Sequence, residues 1–186
     1  MSEKPFSLLV VCTANICRSP MLAAMITRLA QGRDIPMAVS SAGFMFDGEP
    51  ASPTVSEVMV ERGFNLDAHR SRIVSSVIVD QSDLVLTMER GHARELVLAN
   101  PTAAPRIHTA AGFAAGLLAL QPKSDHHESP IEIVSRVAAG RTPSDLLGVG
   151  GDEVSDPHGR NRRVHRDTAN QIEAIAADLV TGLFPL

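Results

Sequence analysis

A chain of 186 residues suits one domain with room for a core, and hydrophobic and charged fractions of 44% and 20% are those of a globular protein in water. A formal net charge of -4 gives no long-range attraction to nucleic acid or anionic membranes, and the absence of Tyr and Trp removes the usual stacking residues for single strands. Any anion site must be local, and two cysteines only five positions apart cannot staple a secreted framework, so a cytoplasmic protein is expected.

In chain order, Phe6-Ser7-Leu8-Leu9-Val10-Val11 reads as a strand, too short for a signal or membrane segment. Pro20 suits the first turn of a helix, and Leu22, Met25, Ile26 and Leu29 repeat at helical spacing until Gly32. Met37 to Ser40 reads as a short second strand, followed by a surface loop with Phe44, Phe46, Gly48 and Pro50. Pro53 opens a helix with Val55, Val58 and Met59 on one face, closed at Gly63, and a short helix is expected near Ser75 to Val79. Leu84 to Met88, continuously apolar apart from Thr87, reads as a strand covered on both faces. A helix through Ala93, Leu96 and Val97 stops at Asn100-Pro101, and Arg106-Ile107-His108 is a short fourth strand. The signal then weakens as far as Gly151, with a helix from Ile131 to Ala139 and a mobile loop at Gly148 to Gly151. Ile172, Ile175, Ala176, Leu179 and Leu183 mark the apolar face of a last helix.

Strands alternating with helices imply a parallel sheet with right-handed crossovers, whose ligands bind beyond the carboxyl ends of the strands. The loop Cys12-Thr13-Ala14-Asn15-Ile16-Cys17-Arg18-Ser19-Pro20 lies at such an end. Its backbone N–H groups, with those of the following helix, form a nest for a phosphate dianion, and the same field favours thiolates, the nucleophilic form of cysteine. Arg18 is placed to grip two phosphate oxygens in a planar fork and to follow them into the transition state. Ser19 can donate to the Cys12 sulfur as it leaves, and Asn15 tolerates a left-handed turn of the loop.

The stretch Val10-Val11-Cys12 through Ser19-Pro20 resembles the signature of the low-molecular-weight protein tyrosine phosphatases. Ser41-Ala42-Gly43, Gly48-Glu49-Pro50, Ala68-His69-Arg70-Ser71-Arg72, Asp83 to Met88 and Asp156-Pro157 match family landmarks in order. The resemblance implies a three-layer α/β fold, with a four-stranded parallel sheet in flavodoxin-like order and helices on both faces. It implies hydrolysis of phosphate monoesters through a phosphocysteine on Cys12, with no metal and no cofactor. Asp156 takes the place of general acid and base, with Asp152, Glu153 and Asp167 as fallbacks nearby. Ser41 and His69 match positions that support the loop through Asn15 and Ser19, while Thr13, Ala14, Ile16 and Cys17 complete the phosphate-binding loop.

Ala14 stands where glycine is common in the family, and His158 where eukaryotic relatives often carry Tyr. Phe44, Phe46 and His158 are candidates for the substrate cleft in place of a missing Trp or Tyr, although the two phenylalanines read as well as core or loop residues. Cys17 is either a redox partner of Cys12 or a small buried loop residue. The stretch 109–153 is longer than in compact relatives and is read as an insertion into one domain: a lid, a partner surface or an inert expansion. Asp125-His126-His127-Glu128 within it lacks the spacing of a metal site and reads as solvated loop.

The expected substrate is a phosphorylated protein, on tyrosine, or a small phosphate monoester, with no nucleic-acid or membrane partner and a monomer or weak dimer as the expected state. Arsenate reduction with a low-molecular-weight thiol and protein-arginine phosphatase activity are the alternatives; arginine phosphatases place Thr where this chain has Ile16. A non-catalytic phosphoprotein-binding module ranks last, because all the reacting groups are present.

Overall fold

A computed structural model of the chain describes residues 4–121, 128–142 and 153–185. Its strands are β1 (Phe6–Cys12), β2 (Met37–Gly43), β3 (Leu84–Thr87) and β4 (Ile107–Thr109). They form one parallel sheet in the order β2-β1-β3-β4, as expected from the alternation of strands and helices. The order reverses at β1, so the crevice of an open parallel sheet opens beyond Cys12.

Alternation along the central strand sorts its side chains between two cores. Leu8, Val10 and Cys12 face the layer of helices α1 (Arg18–Gln31), α2 (Pro53–Glu61), α5 (Ala110–Ala119), α6 (Pro130–Ala139) and α7 (Arg162–Leu183). Leu9 and Val11 face α3 (Ser76–Asp80) and α4 (Arg90–Ala99) through Val79, Ala93 and Leu96. The periodic apolar positions of α1 and α7 are the buried ones: Leu22, Met25 and Ile26 in one, Ile172, Ala176 and Leu179 in the other. Asn161 caps α7 by accepting from Val164 N at 3.1 Å. Among the described residues no helix is long and apolar enough to cross a membrane.

Three local features differ from expectation. First, β2 continues through Ser41-Ala42-Gly43, pairing as far as Cys12 with Gly43, because edge-strand hydrogen bonding overrides the weak strand preference of serine and glycine. Second, Arg106 belongs to a 3-10 turn (Pro101–Arg106), which shifts β4 by one residue. Third, the stretch after Thr109 begins with helix α5, whose Phe113 is fully buried. Its sequence, Ala-Ala-Gly-Phe-Ala-Ala-Gly-Leu-Leu-Ala, is apolar all round and so shows no amphipathic period. A β-carbon on Gly116 would stand 2.7 Å from Val137 of α6, so the glycine permits a close approach of the two helices. The stretches Asp125-His126-His127 and Gly148 to Gly151, and Asp152, lie outside the described residues.

His108 on β4 is 4% exposed, donates from Nε2 to Pro105 O at 3.0 Å and meets the edge of Phe113. Burial, followed by the nearby Arg141 guanidinium, pushes its pKa from 6.5 down to about 4, against the Pro105 hydrogen bond. The unfolded chain therefore binds a proton at His108 that the folded one refuses between these two values. The associated stability is fully present above pH 6.5 and falls as the pH drops toward about 4, by about 1.4 kcal/mol per unit and about 3 kcal/mol in all. Urea midpoints at about pH 7.5, 5.5 and 4.5 should show this decline and its loss in His108→Gln; equal declines in both proteins would refute the assignment.

Candidate active site

The loop between β1 and α1 turns on Asn15, whose φ of 55° is left-handed. Its side chain is wholly buried yet satisfied: Nδ2 donates to Ser19 Oγ at 2.9 Å and to Ser41 Oγ at 2.8 Å, while Oδ1 accepts from Arg72 N at 3.0 Å. His69 Nε2 donates to the Asn15 carbonyl at 2.6 Å. The two residues singled out by resemblance, Ser41 and His69, thus both reach Asn15. Arg72, which the sequence reading named within a landmark stretch but gave no role, braces the same point and also donates from Nε to Ser41 O at 2.8 Å.

Ser19 Oγ lies 3.0 Å from Cys12 Sγ. Because it already accepts from Asn15, its own hydrogen is free to point at the sulfur. Outside the loop, Phe44 N donates to Thr13 O at 2.7 Å and Ser52 N to Ile16 O at 2.8 Å. Gly43 lies against the loop so closely that a β-carbon would stand 2.7 Å from Asn15 N and 2.9 Å from Ala14 C and Cys12 O, all backbone atoms.

Arg18 is 1% exposed. Its Nη1 donates to Val154 O at 2.9 Å and to a carboxylate oxygen of Glu89, and its Nη2 reaches Thr13 Oγ1 at 3.3 Å and Asp156 Oδ2 at 3.0 Å. Asp156 is thereby brought to the loop from far along the chain, held by Val154 N donating to Met88 O at 2.9 Å. Its other oxygen accepts from His158 N at 3.1 Å, which closes the turn at Pro157. Of the fallbacks, Glu153 is turned toward Arg90 N at 2.9 Å, and Asp167 lies out on α7 beside Arg163.

Cys17 is buried, and its thiol is pushed up to about 12, by burial first and then by Cys12 and Asp156, with Arg18 opposing. It is therefore a protonated, weakly nucleophilic neighbour of Cys12. Phe44 is half-buried and stacks on His92, with ring centroids 5.3 Å apart, whereas Phe46 is 38% exposed and His158 is exposed. Among the described residues His, Cys, Asp and Glu side chains do not gather in groups of three that would hold a metal ion. Glu89 and His92 were missed by sequence reasoning. The available signal was their place at and just after the carboxyl end of β3, where a parallel sheet gathers its ligand-binding side chains.

A strand-to-helix nest around a cysteine and a buried arginine, at the switch point of a parallel sheet, defines a phosphate-loop α/β protein with the means of nucleophilic phosphoryl chemistry. The family model for low molecular weight phosphotyrosine protein phosphatase matches residues 7–134, and the chain belongs to that family. The matched stretch ends before Asp156. The chain is similar to a probable low molecular weight protein-tyrosine-phosphatase, EpsP, of Ralstonia solanacearum, at 36% identity over 52% of this chain and 64% of that one. It is also similar to a protein-arginine-phosphatase of Geobacillus stearothermophilus, at 36% identity over 60% and 74% of the two chains. It spans less than two thirds of the length of the EpsP relatives. Among solved structures, a low molecular weight protein tyrosine phosphatase from T. tengcongensis superposes with a TM-score of 0.72 at 26% identity, covering 94% of this chain and 97% of that one. The YwlE arginine phosphatase from Geobacillus stearothermophilus gives 0.71 at 27% identity, over 96% and 93%.

The Gly43 contacts yield a direct test. Gly43→Ala should force the loop backbone away, lowering the melting temperature and weakening binding of inorganic phosphate by at least tenfold; a variant that binds phosphate like wild type would show that the loop tolerates the methyl group.

Proposed function

We propose that this protein hydrolyses phosphate monoesters, protein phosphotyrosine foremost, through a phosphocysteine intermediate on Cys12. The observation that carries the reading is the convergence on Arg18. The buried guanidinium that would hold the phosphoryl group reaches Asp156 at 3.0 Å, and the sulfur at the start of the same loop has a hydroxyl donor 3.0 Å away.

In the first step the Cys12 thiolate attacks phosphorus, the sulfur–phosphorus bond forms and the ester P–O bond breaks. The leaving oxygen takes the proton of the Asp156 carboxyl group, which avoids expelling an alkoxide or phenoxide. In the second step Asp156 accepts a proton from water, the water oxygen attacks phosphorus and the sulfur departs. The Ser19 hydroxyl stabilises the thiolate so released, and Arg18 pairs with the phosphoryl oxygens throughout. An incoming dianion competes with the Asp156 carboxylate for Arg18 Nη2. Asp156, released from the guanidinium and set beside the dianion, takes up a proton from solvent and faces the leaving group as the acid.

A protein-arginine phosphatase is the second reading, supported by the 36% identical Geobacillus relative of that name, with Ile16 in place of the expected Thr arguing against it. Arsenate reduction needs only the Cys12 thiol and a small thiol partner, and it remains an arm of the test. Two free cysteines fit a reducing compartment such as the cytoplasm. The stretch 109–153 we read as an expansion of a single domain.

In a metal chelator the protein should turn over para-nitrophenyl phosphate. Cys12→Ser should reduce this to background, and undiminished turnover would sink the assignment. Asp156→Asn should cost roughly 10²-fold or more with phenyl phosphate and progressively less as the leaving group becomes more acidic; a uniform loss would point to another acid. Phosphotyrosine, phosphoarginine and phosphoserine peptides, and arsenate with thiol, compared under one set of conditions, should rank phosphotyrosine first. A higher kcat/KM for phosphoarginine would select the second reading.

A further inference from the structure

His92 stands near the start of α4 and has no part in the reaction steps above. It is 9% exposed, and its ring is held flat against Phe44, with an interplanar angle of 26°. Nε2 lies 3.1 Å from Thr13 Oγ1, while Nδ1 is enclosed and meets no hydrogen-bond partner among the described residues. Thr13 Oγ1 in turn accepts from Arg18 Nη2 at 3.3 Å.

The ring proton has two possible places. On Nδ1 it would be a buried donor with no acceptor, a state that folded proteins rarely contain. On Nε2 it is satisfied by Thr13, and Nδ1 is left as an unprotonated acceptor. Burial opposes a second proton by holding the imidazole below its ordinary range, although Glu89 just ahead of α4, Glu95 within it and Asp156 favour the charge that Arg18 opposes. These constraints favour the neutral Nε2–H tautomer, in which Thr13 Oγ1 receives N–H groups from both His92 and Arg18. A hydroxyl oxygen that accepts twice must aim its own hydrogen at a third group.

We propose that His92 is a positioning residue acting through Thr13: with Arg18 it fills the lone pairs of Thr13 Oγ1 and so presents the Thr13 hydroxyl hydrogen to the phosphoryl oxygen held by Arg18. The inference rests on the reading of this loop as a phosphate site. It adds a donor that belongs to the loop but is oriented from the neighbouring strand–helix unit.

The test is calorimetric binding of inorganic phosphate, which needs no turnover, with melting temperatures recorded alongside. His92→Ala and Thr13→Val should each weaken phosphate about tenfold, the loss of one hydrogen bond to a charged group. The double variant should lose no more than either single one, since both remove the same interaction. His92→Gln, whose amide can donate to Thr13, should recover most of the affinity. KM for para-nitrophenyl phosphate should rise in parallel while kcat changes less. Long-range proton–nitrogen NMR spectra of the wild type should place the His92 proton on Nε2. Wild-type affinity in His92→Ala, additive losses in the double variant, or a proton on Nδ1 would each overturn the inference while leaving the phosphate site intact. A wild-type protein that binds no phosphate would remove the site reading itself.

Discussion

A guanidinium with 1% of its surface open to water has to find partners for its N–H groups within the fold. Arg18 finds them in Glu89 at the start of α4, in the Val154 carbonyl and Asp156 ahead of α7, and in Thr13 of its own loop. A buried charge of this kind is tolerable only when paired and hydrogen-bonded, and here two carboxylates share the pairing. The end of β3 and the segment before α7, far apart in sequence, are therefore tied to the β1–α1 turn by one side chain. Asp156 is held at the loop by its ion pair with Arg18.

The loop that carries Arg18 is held by a second polar centre on its other side. Asn15 adopts a left-handed conformation unfavourable for most residues, and its wholly buried amide is satisfied on both atoms. Ser41, Ser19 and the Arg72 backbone supply those partners, and His69 takes the carbonyl. In a low-dielectric interior such a network fixes one arrangement, because any slip strands a polar atom. Extending β2 to Gly43 brings the edge strand to within contact of the loop, so the sheet register itself sets the height of the loop.

These two centres explain what could be read from the sequence. Cys12, Asn15, Arg18 and Ser19 are contiguous, so their chemistry and spacing are visible together. Strands β1 and β3 and helices α1 and α7 were legible because burial on one or both faces leaves a periodic or continuous apolar record. Helix α5 was not, since its small residues pack on several sides and erase the period. Glu89, His92 and Arg72 were hidden for a different reason. Each is an ordinary polar residue whose role follows from the register of β3 and β2 beside β1, which local sequence does not display. Asp156 and His69 were found only because the order of landmarks along the chain resembles that of a family.

The same division accounts for the difference between reaction and substrate. Two carboxylates face one guanidinium, so the site lacks the excess positive charge that would collect any anion, and a ligand has to displace Asp156 from Nη2 to bind. On the proposed reading a phosphate dianion would do so because it brings two charges and would also meet the loop N–H groups, whereas a simple carboxylate would only exchange like for like. In the proposed function, selectivity for phosphate is therefore assigned to the buried parts. Selectivity among esters would, on the same proposal, fall to the rim, where Phe44 is braced by His92 while Met45, Phe46 and His158 are exposed on loops. Loop side chains of that kind vary without disturbing Arg18 or Asn15, so one phosphate cradle can serve different esters.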